Sequence, residues 1–105
     1  MNKDVLLLVC AAGVSTNLMI TQMRHLASIQ RLQLDIISVS GNELDEAIHK
    51  YPVCAVLLSP QLRYMKNNVL PELNKMNIPI DVISMKDFGN LNSKNILKQA
   101  LSLKT

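Results

Sequence analysis

The stretch VLLLV at residues 5–9, followed by CAAGVST at residues 10–16, decides the predicted fold. A continuous apolar run of this length is typical of a β-strand buried on both faces, as in a parallel sheet covered by helices. After the loop of small or compact residues, apolar side chains recur at spacings of three and four from Met19 to Ala27. This spacing predicts an amphipathic helix over residues 16–31, so the chain opens with a strand, a tight loop and a helix.

The alternation of strands and helices continues to the end of the chain. We predict further strands at residues 34–39, 53–58 and 80–84, helices at 43–48, 61–76 and 93–103, and a loop at 85–92. Pro71 falls inside the third helix and predicts a kink or a break near it. Such alternation favours parallel strands with right-handed crossovers. We therefore expect a single-domain α/β fold over residues 1–105, a doubly wound four-stranded parallel sheet flanked by helices.

Composition excludes several classes of function. With 105 residues, of which 49% are hydrophobic and 18% charged, the chain suits one domain with a buried core and is not intrinsically disordered. Aromatic residues make up only 3%, which leaves few platforms for stacking bases or sugar rings. The net charge of +3 is spread from Lys3 to Lys104 without a basic run, so we expect no nucleic-acid partner. Neither a membrane-spanning stretch of about 20 apolar residues nor a signal peptide is predicted, and we expect a cytoplasmic protein.

Cys10 ends the first predicted strand, and doubly wound folds place ligands at the carboxyl ends of their strands. The loops expected there are residues 10–16, 59–64 and 85–90. Backbone N–H groups in a turn such as 11–16 can converge on one point, and the dipole of the following helix adds positive charge. A thiol in that field has its thiolate favoured and is a nucleophile toward phosphorus. We therefore predict a functional nucleophile at Cys10, the alternative being a small buried strand-end residue.

Cys54 lies within the third predicted strand, four residues before its end. At ~3.3 Å per residue it should lie more than about 10 Å from the level of Cys10 if the strands are neighbours, beyond the ~7 Å limit for bridged α-carbons. We therefore expect no disulfide, and a structural role for Cys54.

Other chemistries that use a cysteine after the first strand lack their partners in this sequence. A tyrosine-phosphatase-like loop requires Arg at the position of Thr16, and its acid has only a weak candidate in Asp87. A CxxC pair, a nucleotide-binding GxxxxGK[ST] loop and a Cys/His metal cluster are missing, and His25 and His49 fit ordinary surface positions. The residues favour a phosphoryl carrier, while a small cysteine phosphatase or arsenate-reductase-like enzyme and an anion-sensing module stay open.

Three segments carry a resemblance to a known family. The segments LLLVCAAGVSTNL at 6–18, VLLSPQLRYM at 56–65 and PIDVISMKDFG at 79–89 resemble the IIB component of bacterial sugar phosphotransferase systems, lactose/cellobiose (chitobiose) class. The resemblance spans essentially the whole chain. Its departures are Val14, Ser59 and Phe88, where family members often have Met, Gly and Tyr. None of the three changes the sulfur chemistry, whereas Val14 and Phe88 bear on the docking surface.

The resemblance implies a phosphotransferase that carries phosphate between two partners. Cys10 would accept it from a phosphohistidine of a IIA protein and donate it to a β-linked disaccharide, of the cellobiose, chitobiose or lactose class, taken up by the membrane component IIC. Gln61 and Tyr64 would flank the site. The resemblance implies no definite role for Arg63. The backbone cradle for the phosphate would comprise Ala11, Ala12, Gly13, Val14, Ser15 and Thr16. No metal and no diffusible cofactor are implied, and we expect a monomer that meets IIC transiently at the inner face of the membrane.

Overall fold

The computed structural model describes residues 3–11 and 17–104. In that part of the chain the strands are β1 (Asp4–Cys10), β2 (Leu34–Ser40), β3 (Val53–Leu58) and β4 (Ile80–Val82). The α-helices are α1 (Asn17–Ile29), α2 (Leu44–Lys50), α3 (Met65–Lys75), α4 (Met85–Gly89) and α5 (Ser93–Leu103). Short 3-10 helices precede α2 at Gly41–Glu43 and α3 at Pro60–Leu62. None of the helices among these residues is long and apolar enough to cross a membrane.

The four strands form one sheet in the order β2-β1-β3-β4, and every neighbouring pair is parallel. The strands are added in opposite directions from β1, because β2 lies on one side of it and β3 on the other. This is the crevice where doubly wound folds hold their ligands. The predicted α/β fold, with its four-stranded parallel sheet, is therefore confirmed.

Each face of the sheet is covered by two helices. On the α1/α5 face, Leu6 and Leu8 of the central strand pack with residues of α1 and α5. On the α2/α3 face, Leu7 and Val9 pack with residues of α2 and α3. Alternate residues of β1 thus enter opposite cores, which explains why the VLLLV stretch is apolar without interruption.

Both edge strands use the same arrangement to cover their outward polar backbone groups. In β2, the N–H of Ile36 donates to the Asp35 carboxylate at 2.8 Å, and its carbonyl accepts from the Arg24 guanidinium at 2.6 Å. In β4, the N–H of Val82 donates to the Asp81 carboxylate at 2.8 Å, and its carbonyl accepts from Gln99 at 3.0 Å. Neither pair of groups is left open to an added strand, which protects these edges from aggregation.

The segment after β3 differs from the expected single helix over 61–76. Pro60 begins a 3-10 helix, and α3 starts only at Met65. Pro71 lies inside α3, which continues to Lys75, so no break occurs at the proline. Pro71 is exposed, as is Asn67 one turn before it, and the carbonyl that loses its intrahelical partner is therefore on the solvent side.

The loop expected over residues 85–92 contains a helix. The strand β4 ends at Val82 rather than at Ser84, and Ser84 instead caps α4, where its Oγ accepts the N–H of Asp87 at 3.1 Å. Smaller differences from the predicted ranges occur at the carboxyl ends of α1 and α2. A left-handed backbone at Arg31, with φ of 57°, follows the end of α1 at Ile29, and α2 extends to Lys50 rather than to residue 48.

Candidate functional site

Cys10 is the last residue of β1 and lies at the carboxyl edge of the sheet between two serines. On one side it pairs in register with Ser40 at the end of β2. On the other side the pairing of Val9 with Leu58 continues through the N–H of Ser59, which donates to the carbonyl of Val9 at 2.8 Å. Cys10 is buried, with 4% of its surface exposed. The thiol therefore occupies the position predicted for it, at the crevice between β1 and β3.

The direction of the Cys10 side chain follows from the alternation along β1. Leu6 and Leu8 enter the α1/α5 core, so Cys10 belongs to the same face, on which α1 begins at Asn17. Ala11 is half-buried and packs against the α2/α3 core. The rest of the predicted cradle, Ala12, Gly13, Val14, Ser15 and Thr16, lies outside the described residues.

Gln61 and Tyr64 lie in the segment directly after β3, at the same edge of the sheet as Cys10. Both side chains are exposed, while Leu62 between them is buried in the α2/α3 core and anchors the segment. Arg63 is also exposed. The fold thus brings Gln61 and Tyr64 to the edge that carries Cys10.

Three large apolar side chains are exposed around this edge. Leu18 in the first turn of α1, Tyr64 before α3 and Met85 at the start of α4 have 58%, 68% and 74% of their surfaces exposed. Each follows the carboxyl end of a different strand. We call these three residues the apolar rim. Exposed apolar side chains at an edge that carries a nucleophile offer a surface for another protein.

The third predicted loop carries no free acid beside the thiol. Asp87 lies in the first turn of α4, beyond the edge strand β4, and its carboxylate accepts a hydrogen bond from Asn95 at 3.2 Å. Phe88 is partly buried and packs against the α1/α5 core. The strand order places β3 between β4 and Cys10.

Residues 5–99 match the family model described as the lactose/cellobiose-specific IIB subunit of the phosphotransferase system (PTS). The chain belongs to this family. The chain is 34% identical over 98 residues to the oligo-beta-mannoside-specific EIIB component of Bacillus subtilis (strain 168), covering 93% of each chain. It is 30% identical over 106 residues to the galactose-specific EIIB component of Lactococcus lactis subsp. cremoris (strain MG1363), covering 98% of each.

Solved structures agree with this membership. The solution structure of a cellobiose-specific IIB component from Borrelia burgdorferi has a TM-score of 0.75 and 28% identity, over 96% of this chain and 91% of that one. A lactose-specific IIB domain from Streptococcus pneumoniae has a TM-score of 0.83 over 98% and 99% of the two chains, and at 14% identity this likeness concerns the fold alone. The sequence-based resemblance to the IIB family is confirmed.

The second cysteine of this IIB chain, Cys54, lies near the amino ends of the strands, away from Cys10. Val5 pairs with Val53 and Leu6 with Ala55, so Cys54 occupies an irregularity in β3 at the level where β1 begins. Burial raises the pKa of its thiol, an effect that Lys104 partly opposes. Neither Cys10 nor Cys54 forms a disulfide, as predicted. A raised pKa keeps the Cys54 thiol protonated at neutral pH and makes it a poor nucleophile.

The histidines of the IIB chain are both exposed. His49 near the end of α2 donates from Nδ1 to the carbonyl of Asp45 at 2.8 Å and approaches the Glu72 carboxylate at 3.5 Å. These contacts raise the pKa of His49, the Asp45 carbonyl being the largest cause. Within residues 3–11 and 17–104, no group of three or more His, Cys, Asp or Glu side chains could hold a metal ion.

One residue at the site was noted in the sequence only as a departure from the family pattern. Ser59 is fully buried, and its Oγ has no hydrogen-bond partner among the residues that the structure describes. The available signal was a polar residue placed directly after the buried run of β3. That signal is weak, because serines at strand ends usually cap the next helix.

Proposed function

We propose that this IIB chain is a single-domain phosphoryl carrier that accepts phosphate on Cys10. The Cys10 sulfur attacks the phosphorus of a phosphohistidine on a IIA protein, so the S–P bond forms as the N–P bond breaks, and the thiol proton passes to the departing imidazole. In the second transfer a sugar hydroxyl attacks, the O–P bond forms, the S–P bond breaks, and the hydroxyl proton is released. The observation that carries this proposal is the position of Cys10 at the carboxyl end of the central strand, beside β3 and on the face of α1.

The phosphate on Cys10 needs hydrogen-bond donors around its oxygens. We assign this role to the backbone N–H groups of residues 11–16, with the hydroxyls of Ser15 and Thr16. The small residue types in this segment suit a turn whose N–H groups converge on an anion. The first turn of α1 contains no acidic residue, so its positive dipole end is not opposed by a carboxylate of its own. Both features support an anion cradle at this place.

The apolar rim supports docking of the two partners at the same edge. A IIA protein and the membrane component IIC must each bring a reacting atom to Cys10, and therefore must bind in turn to one surface. Transient interfaces of this kind are small. Leu18 and Tyr64 follow β1 and β3 and supply exposed apolar area at the edge that carries Cys10, Met85 extends this area beyond β4, and Gln61 supplies a polar group. We place the chain in the cytoplasm, at the inner face of the membrane while it is bound to IIC.

The absence of Arg at position 16 suits a carrier better than a phosphatase. An Arg holds phosphoryl oxygens in a bidentate fashion, and an acid then helps water to attack. Thr16 provides no such clamp. Of the acids at this edge, Glu43 accepts the N–H and hydroxyl of Ser40, and Asp87 is bonded to Asn95 beyond β4. A phosphocysteine without these groups keeps its phosphate until a partner arrives.

We propose a β-linked disaccharide of the cellobiose, chitobiose or lactose class. The relatives named for galactose and for cellobiose, both from Lactococcus lactis, are each 30% identical to this chain, so overall identity does not separate one sugar from another. Transport of each sugar by vesicles that contain the cognate IIC protein would identify it.

Two measurements on the wild-type chain test the proposed function. Incubation with phosphoenolpyruvate, the general phosphotransferase proteins and a lactose/cellobiose-class IIA protein should add the mass of one phosphoryl group. Turnover of p-nitrophenyl phosphate should stay at background. Steady hydrolysis of p-nitrophenyl phosphate without a mass gain would instead indicate a cysteine phosphatase.

A further inference from the structure

The hydroxyl of Ser59 is a buried polar group without an assigned role. The residue has 0% exposure, and its Oγ has no hydrogen-bond partner among the described residues. A buried hydroxyl without a partner lowers stability, so most such groups in native proteins are bonded. Ser59 precedes a 3-10 helix but makes no side-chain capping bond to it, and its backbone carbonyl accepts the N–H of Leu62 at 2.9 Å instead. The Ser59 side chain therefore does not cap the 3-10 helix, which is the usual structural role of a serine in this position.

The register of the sheet places Ser59 next to Cys10. Val9 pairs with Leu58, and the N–H of Ser59 donates to the carbonyl of Val9 at 2.8 Å, so the next residues of the two strands, Cys10 and Ser59, are neighbours. Neighbouring strands lie about 4.8 Å apart. Val9 and Leu58 enter the α2/α3 core, so Cys10 and Ser59 share the opposite, α1/α5 face. Their side chains thus start side by side and project in the same direction.

We propose that the Ser59 hydroxyl donates a hydrogen bond to a phosphoryl oxygen on phosphorylated Cys10. This inference rests on the proposed function. The phosphoryl group adds three strong acceptor oxygens to the sulfur, and the Ser59 hydroxyl is a donor already desolvated and adjacent to them. Its role differs from that of the loop N–H groups, because the donor is the side chain of the residue directly after β3. Ser59 is thus a phosphoryl-binding residue of this chain.

The serine on the other side of Cys10 is committed elsewhere. The Oγ of Ser40 donates to the Glu43 carboxylate at 3.0 Å, and the Ser40 N–H donates to the same oxygen at 2.9 Å. These bonds lower the pKa of Glu43 and keep it ionised. Of the two serines beside Cys10, only Ser59 has a hydroxyl without a partner among the described residues.

Phosphorylation would then give the Ser59 hydroxyl the partner that it lacks. The hydrogen bond favours the phosphorylated state alone, since before transfer the hydroxyl has no partner among the residues that the structure describes. Removing it should shift the equilibrium of phosphate between IIA and this chain toward IIA. Hydrogen bonds to charged groups are among the stronger ones, and the expected shift is about tenfold.

The equilibrium is measured in separate reactions, each with equimolar phosphorylated IIA and one form of this chain. The forms are the wild type, Ser59→Ala, Ser59→Gly, Ser59→Thr and Ser93→Ala. The N–P and S–P species in each reaction are quantified by ³¹P NMR. Ser93 is the matched control because it is buried and its hydroxyl already donates to Gln22 at 2.6 Å. The ratio of S–P to N–P should fall about tenfold in Ser59→Ala and Ser59→Gly, and Ser59→Thr, which retains a hydroxyl, should recover part of it. Ser93→Ala should match the wild type.

Thermal melting of the unphosphorylated proteins separates this role from a structural one. Ser59→Ala should melt no lower than the wild type, because it removes a hydroxyl that bonds to none of the described residues. A clearly lower melting temperature, or a phosphate ratio within twofold of wild type in both Ser59→Ala and Ser59→Gly, would overturn the proposal while leaving Cys10 as the acceptor. A wild-type chain that shows no S–P signal would instead overturn the proposed function and this inference together.

Discussion

Cys10 and Cys54 belong to neighbouring parallel strands, but Cys10 lies at the carboxyl ends of the strands and Cys54 near their amino ends. The pairings of Val5 with Val53 and of Leu6 with Ala55 put Cys54 between four and five residues before the level of Cys10, which at ~3.3 Å per residue is roughly 13–16 Å along the strands. Only Cys10 is at the edge where the chain leaves β1 for α1. The two thiols therefore differ in their surroundings, and several predictions of function depend on that difference.

Phosphorylation of Cys10 should raise the melting temperature of the chain. The backbone N–H groups of residues 11–16 would gain an anionic partner, and hydrogen bonds to charged groups stabilise the state that forms them. For a chain of this size we expect a rise of about 5 °C or more. Calorimetry on both forms measures it. An equal or lower melting temperature in the phosphorylated form would count against the cradle.

Thr16→Arg restores the spacing of a phosphatase loop. The variant should lose phosphoryl transfer to the sugar, because the guanidinium holds the phosphate that the carrier must release. Hydrolysis should rise little, since Asp87 is bonded to Asn95 rather than placed beside the thiol. Thr16→Gln, a long but uncharged replacement, is the control. Wild-type transfer rates in Thr16→Arg would contradict the explanation for the absent arginine.

The apolar rim predicts that Tyr64→Ala slows phosphoryl transfer from IIA without weakening the fold. Tyr64 has 68% of its surface exposed, so little packing is lost, whereas an aromatic residue at an interface often contributes strongly to binding. We expect a rise of about tenfold in the KM for phosphorylated IIA. Ile29→Ala is the matched control, because Ile29 is 64% exposed but lies at the far end of α1. Equal effects of the two substitutions would argue against a rim specific for docking.

His49 should make the stability of the chain depend on pH. Its pKa is raised in the folded state, chiefly by the Asp45 carbonyl, with smaller effects from the Asp45 and Glu72 carboxylates. A raised pKa means that the stabilisation is full below the ordinary value of about 6.5 and is lost as pH rises through the folded value. The free energy of unfolding of the wild type, relative to His49→Ala, should therefore be larger at pH 5.5 than at pH 8. Urea titrations at the two pH values test the sign, and a larger advantage at pH 8 would contradict it.

The order of elements could be predicted from the sequence because burial in this fold is strongly patterned. The bounds of β3 and α5 agree with the predicted ranges 53–58 and 93–103. The helix α4 was missed, because it has five residues and depends on one capping bond from Ser84 rather than on a repeated apolar pattern. Pro71 predicts a kink or a break near it, and α3 continues through it without a break because its exposure makes the lost hydrogen bond tolerable.

The site could be predicted only in part. Cys10 is found by its place at a strand end, and Gln61 and Tyr64 by the segment that follows β3. The state of the Ser59 hydroxyl could not be predicted, since it depends on which groups surround the residue after folding. The lack of a partner for one hydroxyl is a property of three-dimensional packing and leaves no pattern in the sequence.

The most direct test compares the two cysteines as phosphoryl acceptors. Cys10→Ser and Cys54→Ser are incubated with phosphoenolpyruvate, the general phosphotransferase proteins and the cognate IIA protein, and intact mass is measured. Cys10→Ser should gain no stable phosphoryl group, because a serine hydroxyl is a much weaker nucleophile at neutral pH than a thiol. Cys54→Ser should be labelled like the wild type. Labelling that survives in Cys10→Ser, or that is lost only in Cys54→Ser, would contradict the assignment of Cys10 as the phosphoryl acceptor.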